Sequence, residues 1–461
     1  MENPWGIVIA VSAFFIQFLI FGICLSFGIY VIELQKEFET GLSIISSTGS
    51  IHFGFQLCTG PLASFLMRKM SFRKVCLLGA IMSSVGLSVL PFTPNIPFLI
   101  VFFGALTGTG YCFLYIPSHT LSGLWFENNR GLVTGIVTSG SSLGGVAFPY
   151  LIEFLIGRFG WRGSFFILAS LNLQTVVFSS LMRESPLQKT WKKSKTKYIA
   201  NDLTNSTQTI YTIHDDDDGK KFQNNGSIIE NFVTSRKAAD QTRIDEQVKH
   251  IVKESRTRKL LTNLPYVLLT VNNFLWNFGG SVQLLLGPDY YIQVGFDLKQ
   301  AALLLSIQQG TMVVGCVVGG ILGNFRSFNR NGLFLFSNLL SGFCIIAYTF
   351  PVLQTMAGLA IINSVFGLSS GIGLGLIVIL VSDFVGSQLI GDGMGYLMLA
   401  CGIGMFIGPP LGGYLIEKTD TYDVAFYLAG SVTLFSGVIL LITPIRHCCQ
   451  MSKKYLVSSV T

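Results

Sequence analysis

The sequence predicts an all-α membrane protein: twelve transmembrane helices in two pseudo-symmetric six-helix halves, with both termini cytosolic. Three observations predict it. The 461 residues are 50% hydrophobic and only 12% charged, against about a quarter charged in soluble proteins, and the mean hydropathy is +0.57. Apolar runs of the roughly 20 residues that a bilayer core requires recur along most of the chain. They are interrupted once, near the middle, by a long polar stretch over 183–263. That stretch holds a basic block (Lys189, Lys192, Lys193, Lys195, Lys197) and an acidic block (Asp215 to Asp218). It offers too little apolar surface to offset its ordering entropy, so it is expected to be a largely disordered cytosolic loop.

The domain plan follows: an N-terminal half at 1–182, the central loop at 183–263, a C-terminal half at 264–444 and a cytosolic tail at 445–461. The twelve expected spans are 5–32, 43–67, 74–91, 96–118, 130–155, 163–182, 264–287, 298–324, 331–350, 354–380, 392–416 and 423–444. Orientation comes from Lys and Arg in the short loops. Arg68, Lys69, Arg73 and Lys74 follow the second span, Arg130 the fourth, Arg326 and Arg330 the eighth, and Arg446, Lys453 and Lys454 the last. All fall on one side if the termini are inside. The opposite loops carry fewer basic residues (Lys36, Arg158, Arg162, Lys299, Lys418) among several acidic ones. Two glycosylation sequons, at Asn205 and Asn225, lie in the central loop and on this topology stay unmodified.

The net charge of +7 owes +5 to Arg183–Asn263. It reads as membrane topology rather than a nucleic-acid footprint, so no nucleic-acid partner is expected. The nine cysteines form no CxxC pair, and neither a disulfide framework nor a zinc site is indicated. Cys448 and Cys449, just beyond the last span, are candidate palmitoylation sites or unmodified thiols. The first apolar run is too long, and too poor in preceding basic residues, for a cleaved signal peptide, and is expected to remain as a span. There is no phosphate-binding loop, nucleophile elbow or metal-spaced His/Cys set, so neither an enzyme, an ATP-driven pump nor a cofactor is expected.

The halves echo one another. The second span ends Gly60-Pro-Leu-Ala-Ser-Phe-Leu-Met-Arg-Lys and the eighth ends Gly320-Ile-Leu-Gly-Asn-Phe-Arg. Small residues permit close helix approach while basic residues hold the cytosolic surface. This loosely matches the loop signature of the major facilitator superfamily.

A closer resemblance lies in Trp125-Phe-Glu-Asn-Asn-Arg-Gly-Leu-Val-Thr-Gly, which is similar to the motif entering the fifth helix of the monocarboxylate-transporter family. Pro4-Trp5-Gly6, the run Ser26 to Phe38, Gly160-Trp-Arg-Gly-Ser-Phe-Phe166 and Gly408-Pro-Pro-Leu-Gly-Gly413 also resemble that family. Together they cover nearly the whole chain outside the central loop and tail. The resemblance implies a major facilitator fold at the plasma membrane, with Trp5, Gly6, Arg130, Gly135, Trp161 and Arg162 in structural or gating roles. It also raises a single-span immunoglobulin-like ancillary protein as a possible partner. Proton-coupled members of that family have a Lys late in the first helix and an Asp and Arg four residues apart in the eighth. Here Leu25, Met312 and Cys316 stand at those places, which speaks against proton-coupled lactate or pyruvate transport.

The candidate solute-path residues are the few polar side chains inside spans: Gln17 in the first, His52 and Gln56 in the second, Asn273 and Asn277 in the seventh, and Gln308 and Gln309 in the eighth. His52 and Gln56, spaced i, i+4, share a helix face. An offset of about 260 residues makes them counterparts of Met312 and Cys316. Each candidate reads either as path lining or as a hydrogen bond between helices. Pro117 is expected to kink the fourth helix.

The expected function is facilitative or secondary-active transport of a small organic solute, monocarboxylate-like or neutral or zwitterionic, by alternating access. Two alternatives stay open: a non-transporting receptor or sensor on the same scaffold, and a proton-coupled monocarboxylate symporter using His52.

Overall fold

A backbone in lipid must satisfy its own N–H and C=O groups, and apolar runs without a closed barrel satisfy them as helices. The structure is a computed structural model and describes residues 4–39, 42–126, 128–186, 257–325 and 328–440. Most of the central segment, with its charge blocks and both sequons, lies outside the described residues. So do Arg326, Cys448, Cys449, the tail and the last residues of the twelfth expected span.

The described helices follow the expected spans in order. Helix α1 runs over Pro4–Leu25 and continues as Phe27–Phe38. Helix α2 comprises Leu42–Cys58 and Gly60–Lys69. Both are interrupted by one hydroxyl residue. Ser26 Oγ donates to Gly22 O at 2.7 Å and Thr59 Oγ1 donates to Phe55 O at 2.6 Å. Such back-bonding to the carbonyl four residues earlier often bends helices. Helix α3 is Phe72–Val89. Helix α4 spans Ile96–Trp125, with a wider π-helical stretch at Ile100–Thr107 and Pro117 inside it.

Helices α5 and α6 are the two arms of one 52-residue run, Arg130–Leu181, broken at Gly160. Unbroken, that run would reach about 78 Å, more than twice the roughly 30 Å hydrocarbon core. Gly160 has φ 68° and ψ 171°, a conformation essentially restricted to glycine, and it turns one rod into α5 (130–159) and α6 (161–181).

In the second half, α7 is Leu264–Val294, α8 Leu298–Asn324, α9 Arg330–Ala347, α10 Met356–Val385, α11 Ile390–Thr419 and α12 Asp423–Ile439. A capping box joins Asp297 and Gln300 at the start of α8. Among the described residues eight helices are long and apolar enough to cross a membrane, the 52-residue run counting once. Helix α2 is shortened by its break, and α7 is diluted by Asn272, Asn273, Asn277, Gln283 and Asp289.

Both halves belong to one compact unit, and each has its own aromatic core. In the first, Tyr30 stacks on Phe165 with centroids 4.2 Å apart, and its hydroxyl bonds Ser164. In the second, Phe426 packs edge-on to Tyr290 at 5.1 Å.

The halves meet along two seams, α2 with α11 and α5 with α8, the pairing that a two-fold related repeat produces. At both seams backbone lies on backbone. A Cβ on Gly60 would stand 2.4 Å from Gly395 O, and one on Gly131 2.6 Å from Gly320 O. Only glycine allows this approach.

Candidate functional site

The seams are locked at the end that carries Arg68 and Arg130. Arg130 Nε donates to Gly123 O at 2.8 Å, and its two terminal nitrogens reach across to Ser382 and Ser387 of the other half, the latter at 3.1 Å. Arg68 pairs with Asp392 at 3.4 Å, Ser64 Oγ donates to Gly391 O at 2.8 Å, and Asn324 Nδ2 donates to Asn129 Oδ1 at 3.1 Å. Asp392 lies in the first turn of α11, where the helix dipole favours a carboxylate. Arg330 closes a parallel contact inside the second half, donating to Gly323 O at 2.7 Å and to both oxygens of Asp383.

Further into the first half, α1, α2 and α4 bring polar side chains together. His52 Nδ1 bonds Phe103 O at 2.7 Å, a carbonyl within the π-helical stretch of α4, and π-helical turns often occur at functional sites. The His52 ring stacks on Phe103 at 4.4 Å and meets Tyr111 edge-on at 5.3 Å. Cys24 Sγ donates to Gln56 Oε1 at 3.6 Å, and Gln17 Nε2 donates to Ser118 Oγ at 3.3 Å. The structure thus sets His52 and Gln56 on α2 against α4 and α1, while Gln17 meets α4 further along at Ser118. Four buried polar atoms between these helices have no hydrogen-bond partner: Gln17 Oε1, His52 Nε2, Gln56 Nε2 and Tyr111 Oη. All four side chains are fully buried.

The second half answers differently. Gln308 exchanges hydrogen bonds with Gln283 at 2.9 and 3.3 Å. Gln283 also donates to Tyr348 Oη at 3.2 Å. Tyr291 and Tyr348 both donate to Asn363 Oδ1 at 3.0 Å. Asn273 and Asn277 bond back to Leu269 O and Asn273 O of their own helix. Gln309, one residue from Gln308, points elsewhere, and its Oε1 is buried without a partner. A Cβ on Gly145 would stand 2.9 Å from Leu25 Cδ1 and 3.3 Å from Gln309 Cδ. Leu25, where the family resemblance places a Lys, therefore shares a small α1–α5–α8 contact with an amide of the other half.

Sequence reasoning did not place Tyr111, Asp392 or His119 among the candidate solute-path residues. His119 follows the last residue assigned to the fourth span. It is 2% exposed, and neither ring nitrogen has a hydrogen-bond partner. A histidine one turn after Tyr115, on a helix that Pro117 does not end, was the available signal.

The remaining motif residues make contacts between helices. Trp5 Nε1 donates to Leu181 O at 3.3 Å and its ring lies 3.7 Å from the Arg183 guanidinium carbon, a cation–π contact. A Cβ on Gly6 would meet the Phe126 ring at 3.0 Å, and one on Gly135 would stand 2.5 Å from Cys316 O. Trp161 packs in the first-half core. Arg162, over the Trp161 ring, pairs with Glu37 at 3.0 Å.

Two six-helix halves meeting at glycine seams, with uncharged polar groups between their helices, describe a carrier. The sequence profile of the Major Facilitator Superfamily matches residues 10–401 and 326–447. The chain belongs to the Major Facilitator Superfamily. Its work is the membrane transport of a small solute, not catalysis. It is 27% identical over 483 residues to "Monocarboxylate transporter 9" of Pongo abelii, covering 96% of this chain and 93% of that protein. It is 24% identical over 488 residues to "Monocarboxylate transporter 14" of Homo sapiens, covering 99% and 94%. Among solved structures it resembles the proton:xylose symporter XylE bound to 6-bromo-6-deoxy-D-glucose. The TM-score is 0.69 at 14% identity, with 96% of each chain covered. It also resembles the peptide transporter POT in complex with sulfate, with a TM-score of 0.64 at 14% identity, covering 96% and 94%. At that identity the two structures bear on the fold alone.

Proposed function

We propose that this superfamily member carries a neutral or zwitterionic organic solute across the plasma membrane by rocking its two halves about the glycine seams, with both termini cytosolic. The observation that carries the reading is the character of the open polar atoms. Amide, imidazole and phenol groups remain unpartnered between helices, while Leu25 and Gln309 occupy the contact where the resemblance places a fixed cation. Amides and hydroxyls donate and accept without asking the solute for a net charge. Gln17, His52, Gln56 and Gln309 are the proposed path contacts. Gln308, Asn273 and Asn277, each already hydrogen-bonded, are proposed as supports.

The test is uptake by cells expressing the full chain, from labelled lactate, pyruvate, phenylalanine, tryptophan, creatine and carnitine, at acidic and neutral pH. Uptake of a zwitterion with little pH dependence supports the reading. Acid-stimulated lactate uptake that His52→Ala abolishes would replace it with a proton-coupled carrier. Solute binding without flux would favour a sensor. Co-precipitation of a single-span immunoglobulin-like protein tests the proposed partner separately.

A further inference from the structure

The seams place part of α4 where the two halves face one another. Gly123 lies against Val378 of α10, whose Cγ1 would be 3.3 Å from an added Cβ, and Thr120 Cγ2 would be 3.8 Å from a Cβ on Gly391 at the start of α11. One turn back, half-buried Tyr115 packs edge-on against Phe21 of α1 at 5.6 Å. The Tyr115 ring also lies 4.9 Å from the His119 ring. The α4 segment that carries this aromatic–imidazole pair thus touches α1 of its own half and α10 and α11 of the other.

Three polar atoms at this junction are buried without a partner: both ring nitrogens of His119, and Thr120 Oγ1. Leaving such an atom unsatisfied forfeits the hydrogen bonds it made to water, and buried polar groups in native proteins otherwise find partners. An imidazole with both edges open presents, when neutral, one donor and one acceptor. Arg130, one turn further along at Gly123, has its guanidinium engaged by Gly123 O, Ser382 and Ser387.

We infer that His119 and Tyr115 form a solute-contact pair at the junction of the halves. The pair takes a solute of no net charge that offers both a hydrogen-bond donor and an acceptor. His119 bonds the polar group and Tyr115, with Phe21, supplies the apolar wall. This rests on the transport reading and adds to it a residue, a helix and a hydrogen-bonding pattern. It also puts a solute contact at the point where α4 meets α10 and α11, so a bound solute touches parts that must separate when the carrier turns over.

The test uses full-length protein in vesicles and diethyl pyrocarbonate, which ethoxycarbonylates accessible imidazole, with His119 read by peptide mass spectrometry. His119 is expected to be modified, and the panel member that wild type carries is expected to protect it. H119Q, which restores a donor and an acceptor, should keep most of the uptake and resist inactivation by the reagent. H119F should raise KM about tenfold, the equivalent of one lost hydrogen bond, with little change in Vmax. A wild-type KM in surface-expressed H119F overturns the inference. If H119F does not reach the surface, the labelling decides, and an unmodified or unprotected His119 overturns it. A wild type that carries no panel member, yet whose His119 is modified and protected by none of them, overturns both the inference and the proposed neutral or zwitterionic solute class. Intact wild-type transport with an unaffected H119F overturns the inference alone.

Discussion

The polar interiors of the two halves have similar ingredients and opposite states. In the second half Gln283, Gln308, Tyr291, Tyr348 and Asn363 satisfy one another. In the first half Gln17, His52, Gln56 and Tyr111 are as deeply buried, and each keeps an atom without a partner. A closed network rigidifies what it joins, while a half-satisfied one holds free energy that only an added partner can release. The difference suggests a division of labour within a repeated fold. On the proposed function, the second half supplies a stiff counter-surface with Gln309 as its one path contact, and the first half supplies the others.

Four experiments break or sharpen this contrast. The largest effect is expected at the seam, because both roles require the halves to move as units. Gly395→Leu drives a side chain into Ser64 and the Gly60 backbone, and uptake at matched surface level should fall by two orders of magnitude. Uptake near wild type would mean that this contact is not kept during transport. Next is Asn363→Leu, which removes the acceptor shared by Tyr291 and Tyr348. It should cost about 3 kcal/mol by leaving two buried hydroxyls short of a partner. Thermal unfolding in detergent should show this, while KM stays within twofold. A large KM change with unchanged stability would reverse the assigned roles.

Tyr111→Phe is the mirror experiment. It deletes a hydroxyl that bonds nothing, so stability should hold or rise by about 1 kcal/mol. If the solute uses that hydroxyl, KM should rise about tenfold. Lower stability with unchanged KM would make the first-half polar groups as structural as those of the second. The smallest effect is expected for Arg68→Gln. The Arg68 side chain is 25% exposed against 6% for Asp392, and partly exposed ion pairs contribute about 1 kcal/mol or less. The variant should shift the balance between outward- and inward-facing forms a fewfold, read by the rate at which a thiol reagent reaches Cys58, half-buried against Gly402 at the α2–α11 seam. No shift would leave the lock to Arg130 and its serines.

How much of this was legible in the sequence depended on whether the cause was local. The rods were legible because apolar length alone dictates helix in lipid. The breaks at Ser26 and Thr59 were not, since the same hydroxyl-to-carbonyl bond leaves the helix intact at Ser88, Thr134 and Thr138. Gln308 and Gln309 show the limit for the site. They are neighbours in sequence but about 100° apart on the helix, so one joins Gln283 and the other faces Leu25 and Gly145. Only the positions of α5 and α7 decide which does which. Asp392 was invisible for the same reason, since its partner Arg68 belongs to the other half. His119 was lost to an edge, because the apolar run thins after Pro117 while the helix continues to Trp125.

The glycine seams carry one more consequence. Gly60 against Gly395 and Gly131 against Gly320 bring main chain to main chain, and main chain is the same in every protein. Little of this chain's individual identity is therefore written into those two contacts. The halves resemble interchangeable parts made to a common gauge. A chimera joining residues 1–182 to the second half of a relative with glycines at the matching positions should assemble, and its solute preference should travel with whichever half brings the open polar atoms.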